Sequence, residues 1–270
     1  MRSIDRRVSY AKCFSSSKSY TPVGSLPSSV SQFMPLSVSI AAIAGAFPAF
    51  TVAVVVAEDL TIAAERTAEL DALIGERVAA ARAGWSGSEL AQIPGIAAWR
   101  SAYKAFGIKQ TRYRSAVERL VKNTLAGRDL ARVNGFVDLY NAVSLTHVLP
   151  LGADDLDKVT PPLAFRYARE GDSFVDMAEA GEGETEETPK GGEVVYADAA
   201  KILCRRWNWR QDARSLITPA TRRAVVTLQS NGWGDIEAAA EDLQALIVKF
   251  CGGQCRHVVL RRDCPEGSLN

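Results

Sequence analysis

Apolar positions recur with a helical period over long parts of the chain and as short continuous runs elsewhere. The helical spacing predicts helices over residues 60–83, 88–106, 115–125, 134–145 and 235–251, the second of them broken near Pro94. Apolar and β-branched runs predict strands at residues 51–56, 163–168, 194–197 and 258–261. Two segments stay open between strand and short helix, residues 37–44 and 224–228. Helices and strands come in blocks without a βαβ rhythm, which predicts an α+β fold: a single module of mixed sheet with packed helices.

The first part of the chain raises a targeting question. Residues 1–18 hold five Arg and Lys against one Asp in a Ser-rich setting, a composition typical of a mitochondrial transit peptide. The uncharged stretch 34–57 is about long enough to span a bilayer, but Pro48 and the β-branched run within it favour a buried strand. We therefore predict no membrane span and a cytoplasmic location, or a mitochondrial one if residues 1–33 act as a transit peptide.

These patterns also suggest a division of the chain. Residues 1–33 are predicted to be a disordered leader, residues 34–252 the folded domain, and residues 253–270 a C-terminal strand and tail.

Charge is segregated along the chain although the net charge is only +1. Residues 100–132 carry nine bases against two acids, residues 170–193 carry nine acids, and residues 201–223 are basic again. A near-neutral total limits nonspecific binding of nucleic acid, yet it is compatible with a local basic surface that binds RNA.

Histidine and cysteine are too sparse for a recognisable metal site. The chain has two histidines, and the spacing of Cys251, Cys255, His257 and Cys264 matches no common zinc finger. We expect neither a metal nor a cofactor. Cys13 and Cys204 look like isolated thiols, which is consistent with a reducing compartment.

Residues 133–159 carry the most informative run, VNGFVDLYNAVSLTHVLPLGADDLDKV. It resembles the signature of the B3/B4 domain of bacterial phenylalanyl-tRNA synthetase β subunits, in which a VDxTNY-type helix precedes a PLHAFDLDK-type loop. Three further segments fit the same family in order: WRSAYKAFGIKQTRYRSAVERL, EVVYADAAKILCRRWNWRQ and ITPATRRAVV. The resemblance covers about residues 37–251, and the segments together look like free-standing B3/B4-domain proteins, in which this module exists without a synthetase.

The resemblance implies a module related to the synthetase's editing domain, which hydrolyses mischarged tyrosyl-tRNA and recognises the wrong side chain by its hydroxyl. Asn141 matches the family's asparagine. Three positions depart from the pattern: Tyr140 replaces the threonine, Gly152 replaces the histidine, and residues 207–211 contain no acid near the place of the pocket glutamate. No catalytic residue is therefore assigned.

The predicted helix over residues 134–145 carries the first candidate substrate-binding residues. Asp138, Asn141 and Ser144 are spaced i, i+3 and i+6, which places them along one polar edge. The carboxylate suits a substrate ammonium and the amide suits a water; equally, Asp138 and Asn141 suit a role in pinning loops. Tyr140 is predicted to narrow a substrate pocket, or else to be a core aromatic residue.

A second candidate region is the aromatic and basic cluster Trp207, Asn208, Trp209 and Arg210. Such clusters suit unstacked bases or an aminoacyl-adenosine end, so Asn208 and Arg210 are predicted to bind substrate. In the alternative, one Trp packs in the core and Arg210 pairs with Asp198 or Asp212. The candidate nucleic-acid contacts are basic side chains, or else solvated faces of helices: Lys109, Arg112, Arg114, Arg205 and Arg206.

These observations predict a protein that binds tRNA or aminoacyl-tRNA and hydrolyses mischarged aminoacyl-tRNA in trans. Because an aminoacyl ester is activated, a positioned water and fixed dipoles suffice. The first alternative is a non-catalytic RNA- or amino-acid-binding module, and the second is a hydrolase or binder of a free amino acid derivative. A complete ligase is excluded because no ATP-binding core is recognisable. The oligomeric state is not predicted.

Overall fold

The computed structural model describes residues 35–108, 113–177, 189 and 191–270. Within these ranges the helices are α1 (Ala41–Ala44), α2 (Ala68–Trp85), α3 (Pro94–Ala105), α4 (Ala116–Leu125), α5 (Gly135–His147) and α6 (Ile236–Cys251). The strands are β1 (Leu36–Ser39), β2 (Phe50–Glu58), β3 (Leu151–Asp155), β4 (Leu163–Tyr167), β5 (Val194–Ala197), β6 (Ile202–Arg205), β7 (Arg210–Gln211), β8 (Ala224–Asn231), β9 (Gln254–Leu260) and β10 (Glu266–Leu269). Single turns of 3-10 helix lie at Leu90–Gln92, Leu156–Lys158 and Ala213–Ser215.

The strands form two sheets. The six-stranded sheet has the order β10-β1-β4-β5-β6-β7 and is mixed, because β1 and β4 are parallel whereas its other pairs are antiparallel. The four-stranded sheet, in the order β3-β8-β2-β9, is antiparallel throughout. The α+β class predicted from the sequence is confirmed, with the strands divided between two sheets.

Strand β2 is the buried strand that the β-branched run predicted. It pairs with β8 along one edge and β9 along the other, and every residue except Thr51 is buried. Val and Ile side chains favour such a position because their branched Cβ packs well on a pleated surface. In the described ranges, no helix is both long and apolar enough to cross a bilayer.

The helix predicted at residues 60–83 starts eight residues later, so that boundary was wrong. The Thr67 hydroxyl accepts a hydrogen bond from the Leu70 amide and caps α2 at its N-terminus. The segment before it follows neighbouring loops instead, since the Leu60 amide donates to Arg222 O and the Thr61 amide donates to Cys251 O.

Helices α4, α5 and α6 lie within two residues of their predicted bounds, whereas the helix predicted at residues 88–106 is a 3-10 turn followed by α3, which begins at Pro94. Pro94 occupies the first turn of α3, where its missing N–H costs nothing, and this separates α3 from the preceding 3-10 turn as predicted. The Asn134 side chain accepts from the Val137 amide at 3.0 Å and caps α5. The open segments are also decided: residues 224–231 form β8, and residues 36–44 form β1 followed by α1.

The core lies between and beside the sheets. Helices α3, α5 and α6 contact the four-stranded sheet, while α2 and α4 pack against α5. Aromatic rings join the two sheets: Phe50 of β2 lies 5.2 Å from Phe165 of β4 and 4.9 Å from Trp207, measured between ring centroids. These edge-on pairs add to the area that the rings bury, so they hold the sheets at a defined separation.

Four strands were not predicted: β3, β6, β7 and β10. Each has at most five residues, and their sequences mix apolar with charged or small side chains. Residues 254–269 contribute a strand to each sheet, since β9 pairs with β2 and β10 pairs with β1.

Candidate functional site

A row of side chains crosses one face of the six-stranded sheet. Phe165 lies opposite Tyr196, Tyr196 opposite Cys204, and Cys204 opposite Gln211 in the strand register. Residues directly opposite each other point to the same face, and the Phe165 and Tyr196 rings stack with centroids 4.7 Å apart. The Gln211 amide donates to the Asp154 Oδ1 atom at 2.9 Å and to the backbone of β3. This face therefore meets the edge of the four-stranded sheet.

Asp154 is the buried carboxyl at this meeting point, with 3% of its surface exposed. Its Oδ1 atom accepts from the Ser215 hydroxyl at 2.7 Å as well as from Gln211. No donor in the described structure reaches its Oδ2 atom. Burial raises the pKa of this carboxyl to about 7, against the opposing effect of the two hydrogen bonds and of the Lys201 charge. Asp154 therefore titrates near neutral pH with one oxygen unpaired.

The charge of the Asp154 carboxyl acts on two phenols. Burial raises the pKa of Tyr140 and Tyr196, and the charge of Asp154 raises both further. The Tyr196 hydroxyl is fully buried without a hydrogen-bond partner among the described residues, and Tyr140 makes no side-chain hydrogen bond there either. Buried hydroxyls are usually paired, so these groups indicate where a polar ligand would bind. We call the following residues the Asp154 group: Tyr140, Asp154, Tyr196, Gln211 and Ser215.

Cys204 adjoins the Asp154 group as a free thiol. Burial, helped by the nearby Asp154 charge, raises the pKa of Cys204 well above its usual range. The thiol is therefore protonated at neutral pH and is a poor nucleophile. The prediction of an unpaired thiol at Cys204 is confirmed, whereas Cys13 lies outside the described residues.

The candidate residues on α5 have different surroundings. The Asp138 carboxylate is buried and accepts from Arg66 Nε at 2.7 Å and from the backbone just before α5. The Ser144 hydroxyl donates at 2.6 Å to a backbone carbonyl just after α5. Asn141 is half-buried and makes no side-chain hydrogen bond within the described ranges. Asp138 and Ser144 thus pin adjacent segments of the fold, and a role for these residues in substrate binding stays a prediction.

Asn208 belongs to a buried polar network. Its Oδ1 atom accepts from the Tyr103 hydroxyl at 2.9 Å, and its Nδ2 atom donates to Gln229 Oε1 at 3.0 Å. The Gln229 amide in turn donates to the Thr227 hydroxyl at 3.1 Å. These bonds tie α3 and β8 to the turn that follows β6.

Arg210 pairs with Asp176 at 2.8 Å, which corrects the predicted partners Asp198 and Asp212. Those two carboxylates bind cations closer in sequence, Lys201 and Arg214.

The turn between β6 and β7 holds the other aromatic and basic candidates. Arg206 and Trp207 have positive φ angles of 45° and 68°, which turn the Trp207 ring into the core and leave Trp209 half-buried. The Arg206 guanidinium lies 3.8 Å from the Tyr113 ring centroid and 4.4 Å from that of Trp209. Trp207 thus packs in the core, in agreement with the alternative interpretation of this cluster.

The predicted nucleic-acid contacts that the structure describes also have carboxylate partners. Arg205 is buried against Glu193 at 3.0 Å, and Arg114 pairs with Glu118 at 3.3 Å. Lys109 and Arg112 lie outside the described residues. The structure gathers Arg205, Arg206, Asn208 and Arg210 in one turn, and no hydrogen bond or ion pair joins this turn to Asp138, Tyr140, Asn141 or Ser144.

The fold is thus an α+β module with a buried polar group where its two sheets meet. A family profile described as the B3/4 domain matches residues 98–252, which include the whole Asp154 group. The chain belongs to the B3/4 domain family, and the resemblance drawn from the sequence is confirmed.

Solved structures give a further similarity. The chain is similar to an N-terminal fragment of the phenylalanyl-tRNA synthetase β-subunit from Pyrococcus horikoshii, with 13% identity and a TM-score of 0.43 over 85% of this chain. The match spans about half of that fragment, 53% of its length. No curated protein matches the chain.

Sequence reasoning missed most of the Asp154 group. A signal for Asp154 was present, because residues 150–158 read PLGADDLDK where the family pattern reads PLHAFDLDK, so a carboxyl stands in place of a phenylalanine. Tyr196 and Gln211 carried no such signal. They join the group only because β5 and β7 lie on either side of β6.

Proposed function

We propose that this chain binds aminoacyl-tRNA and hydrolyses mischarged aminoacyl esters in trans, with the aminoacyl group held at the Asp154 group. The observation that carries the proposal is a set of polar groups without a described partner where the sheets meet: the Asp154 Oδ2 atom and the hydroxyls of Tyr140 and Tyr196, of which the Tyr196 hydroxyl is fully buried. The family membership and the resemblance to an editing domain support the assignment to an aminoacyl ester.

Hydrolysis at this site proceeds by direct attack of water on the ester carbonyl. The water oxygen forms the new C–O bond, the ester C–O bond breaks, and the ribose hydroxyl leaves with a proton. The protonated Cys204 thiol does not favour a covalent intermediate. Fixed dipoles and a positioned water suffice because the ester is already activated.

The surface that we assign to the tRNA backbone consists of basic side chains that pair with no described carboxylate. Arg119 and Lys122 are exposed on α4, and Lys104 is exposed on α3. Together with Lys109 and Arg112 they belong to the basic stretch at residues 100–132. Exposed unpaired bases neutralise phosphates at little desolvation cost, unlike the buried Arg205.

The test is a deacylation assay with a panel of mischarged tRNAs, combined with filter binding across a range of salt concentrations. We expect release of at least one amino acid above background and a steep fall of affinity with salt. The double variant Arg119→Glu/Lys122→Glu is expected to weaken binding and to flatten the log–log salt slope by about 1 for each lost phosphate contact.

Arg262→Glu is the matched control, because Arg262 is exposed in the turn between β9 and β10 and pairs with no described carboxylate. It should leave the salt slope unchanged. Absence of deacylation for every tRNA contradicts the catalytic part, and a flat salt dependence contradicts tRNA binding.

One observation favours a second candidate function, a non-catalytic amino-acid-binding module. Arg114, Arg205 and Arg210 all pair with carboxylates of the same chain, so much of the predicted RNA-binding charge is already neutralised. Such a module would bind free amino acids with little salt dependence and would leave every aminoacyl-tRNA intact.

A further inference from the structure

We propose that Asp154 binds a protonated primary amine of the ligand through its Oδ2 atom. The inference deepens the proposed function, because it rests on the aminoacyl group lying at the Asp154 group. It names the chemical class that this chain's own residues select.

Asp154 differs from the other buried carboxylates in having no cationic partner. Those within the described residues are Glu58, Glu118, Asp138, Asp154, Asp155, Asp176, Glu193, Asp198 and Asp212. Every one of them except Asp154 has an Arg or Lys nitrogen within 4.0 Å. Buried charges in proteins are normally paired, so the exception marks a carboxylate whose cation comes from elsewhere.

The donors and acceptors around Asp154 also favour an ammonium. Asp154 Oδ1 accepts from both Ser215 and Gln211, whereas no donor among the described residues reaches Oδ2. A primary ammonium carries three donors, and the phenol oxygens of Tyr140 and Tyr196, on which the Asp154 charge acts, supply two further acceptors. An anionic ligand group would be repelled by Asp154, and a hydroxyl has only one proton to donate. The ammonium therefore satisfies more of the unpaired atoms than either alternative.

The protonation state of Asp154 determines how the affinity for an ammonium depends on pH. The groups that act on Asp154 from the elements around it are Tyr140 on α5, Tyr196 on β5, Lys201 before β6, Cys204 on β6, and Asp212 after β7. Only Lys201 among them carries a positive charge, and it forms its ion pair with Asp198. Burial raises the pKa of Asp154 to about 7, so an ammonium must displace a proton from the carboxyl below that pH. Its affinity should then fall about tenfold for each pH unit below 7.

The amine has two possible sources, the α-ammonium of an aminoacyl group and a side-chain ammonium. Three probes of matched length separate them: L-norleucinamide carries only the first, Nα-acetyl-L-lysinamide carries only the second, and Nα-acetyl-L-norleucinamide carries neither. Calorimetric titration of the full chain at pH 7, where an α-amine is still mostly protonated, should show binding of at least one ammonium probe, with the neutral probe weaker by roughly tenfold to a hundredfold.

Asp154→Asn should weaken binding of the ammonium probe by a similar factor and abolish the fall of its affinity between pH 7 and pH 5, a range in which the probe stays protonated. Asp157→Asn is the matched control, since Asp157 lies three residues along the chain, is half-exposed and pairs with Arg223. Circular dichroism spectra of both variants would check that each one folds.

The inference is overturned if neither ammonium probe binds at millimolar concentration, if the neutral probe binds equally well, or if Asp154→Asn leaves the affinity unchanged. These outcomes are separate from those of the deacylation assay. A chain that binds the amine but deacylates no tRNA contradicts only the catalytic proposal. A chain that deacylates tRNA but binds the probes independently of Asp154 contradicts only this inference.

Discussion

The turn between β6 and β7 and the Asp154 group are both polar regions, but they differ in how their polar atoms are paired. In the turn, Arg205 and Arg210 meet Glu193 and Asp176, and Asn208 is bonded on both sides of its amide. In the Asp154 group, one carboxylate oxygen and two phenol hydroxyls lack partners among the described residues. The turn therefore keeps its charged groups paired within the fold, although the Trp207 Nε1 and Arg210 Nε atoms have no hydrogen-bond partner among the described residues. The Asp154 group instead keeps a carboxylate oxygen that no described donor reaches.

A segment that is rich in residues of the binding type does not necessarily present those residues to a ligand. The turn looked richer in binding chemistry because its Trp, Asn and Arg residues are consecutive. Consecutive residues in a tight turn reach different neighbours, and here those neighbours are a carboxylate, an aromatic core and a buried amide network. What decides function is the set of polar atoms that remains after the fold has used the rest.

The largest expected effect comes from breaking the pairing inside the turn. Arg205→Ala leaves the buried Glu193 carboxylate without its main cation, which we expect to lower the free energy of unfolding by about 3–5 kcal/mol. Chemical denaturation measures this. The control is Arg261→Ala, whose ion pair with Glu237 is half-exposed and should contribute under about 1 kcal/mol. Equal effects of the two variants would mean that the turn is not held by its ion pairs.

The second effect concerns the unpaired carboxyl. Asp154 has a pKa of about 7 in the folded chain against 3.8 for an ordinary aspartate, so the folded state holds its proton over this range and the unfolded state does not. The contribution of Asp154 to the stability of the fold is therefore fully present below about pH 4 and is lost as the pH rises to about 7. We expect Asp154→Asn to be more stable than the wild type by about 2–4 kcal/mol at pH 8, with little difference at pH 4. Thermal and chemical unfolding across pH checks this.

Asp242→Asn provides the contrast of opposite sign. Hydrogen bonds from His147 and Arg77 outweigh burial and lower the pKa of Asp242 to about 2. The contribution of Asp242 to the stability of the fold is therefore present above about pH 4 and is lost as the pH falls towards 2. The variant should accordingly be less stable than the wild type at neutral pH. If both variants shift stability in the same direction, the assigned pairing of Asp154 is wrong.

The smallest effect compares two buried tyrosine hydroxyls. Tyr103→Phe removes a donor from Asn208 and should cost about 1–2 kcal/mol of unfolding free energy, because it leaves a buried amide oxygen unpaired. Tyr196→Phe removes a hydroxyl that has no partner in the described structure, and its effect should lie within about 0.5 kcal/mol of zero. Urea titrations of the two variants measure the difference. A loss at Tyr196 as large as at Tyr103 would show that the fold already satisfies that hydroxyl.

Much of the fold could be predicted because local patterns carry it. Helices α4, α5 and α6 and strand β5 match their predicted bounds closely, since each has a clear apolar period and most have a capping residue or a glycine at an end. Strand β3 could not be predicted from LGADD, because its strand conformation depends on pairing with β8, more than 60 residues away. The start of α2 was missed because the residues before Thr67 are held by distant loops.

The sequence by itself determined the α+β class, most of the helices, the buried strand β2 and the B3/4 family. These follow from short-range periodicity and from the order of local motifs, which a linear reading retains. Only the tertiary structure decided which polar residues are satisfied. Asp154, Tyr196 and Gln211 come from three strands in two sheets. Asp138 and Arg205 are not available to a ligand because each forms a buried ion pair, with Arg66 and Glu193 respectively. Hydrogen bonds and ion pairs depend on distances of a few ångströms, and the chain sets those distances only when it packs.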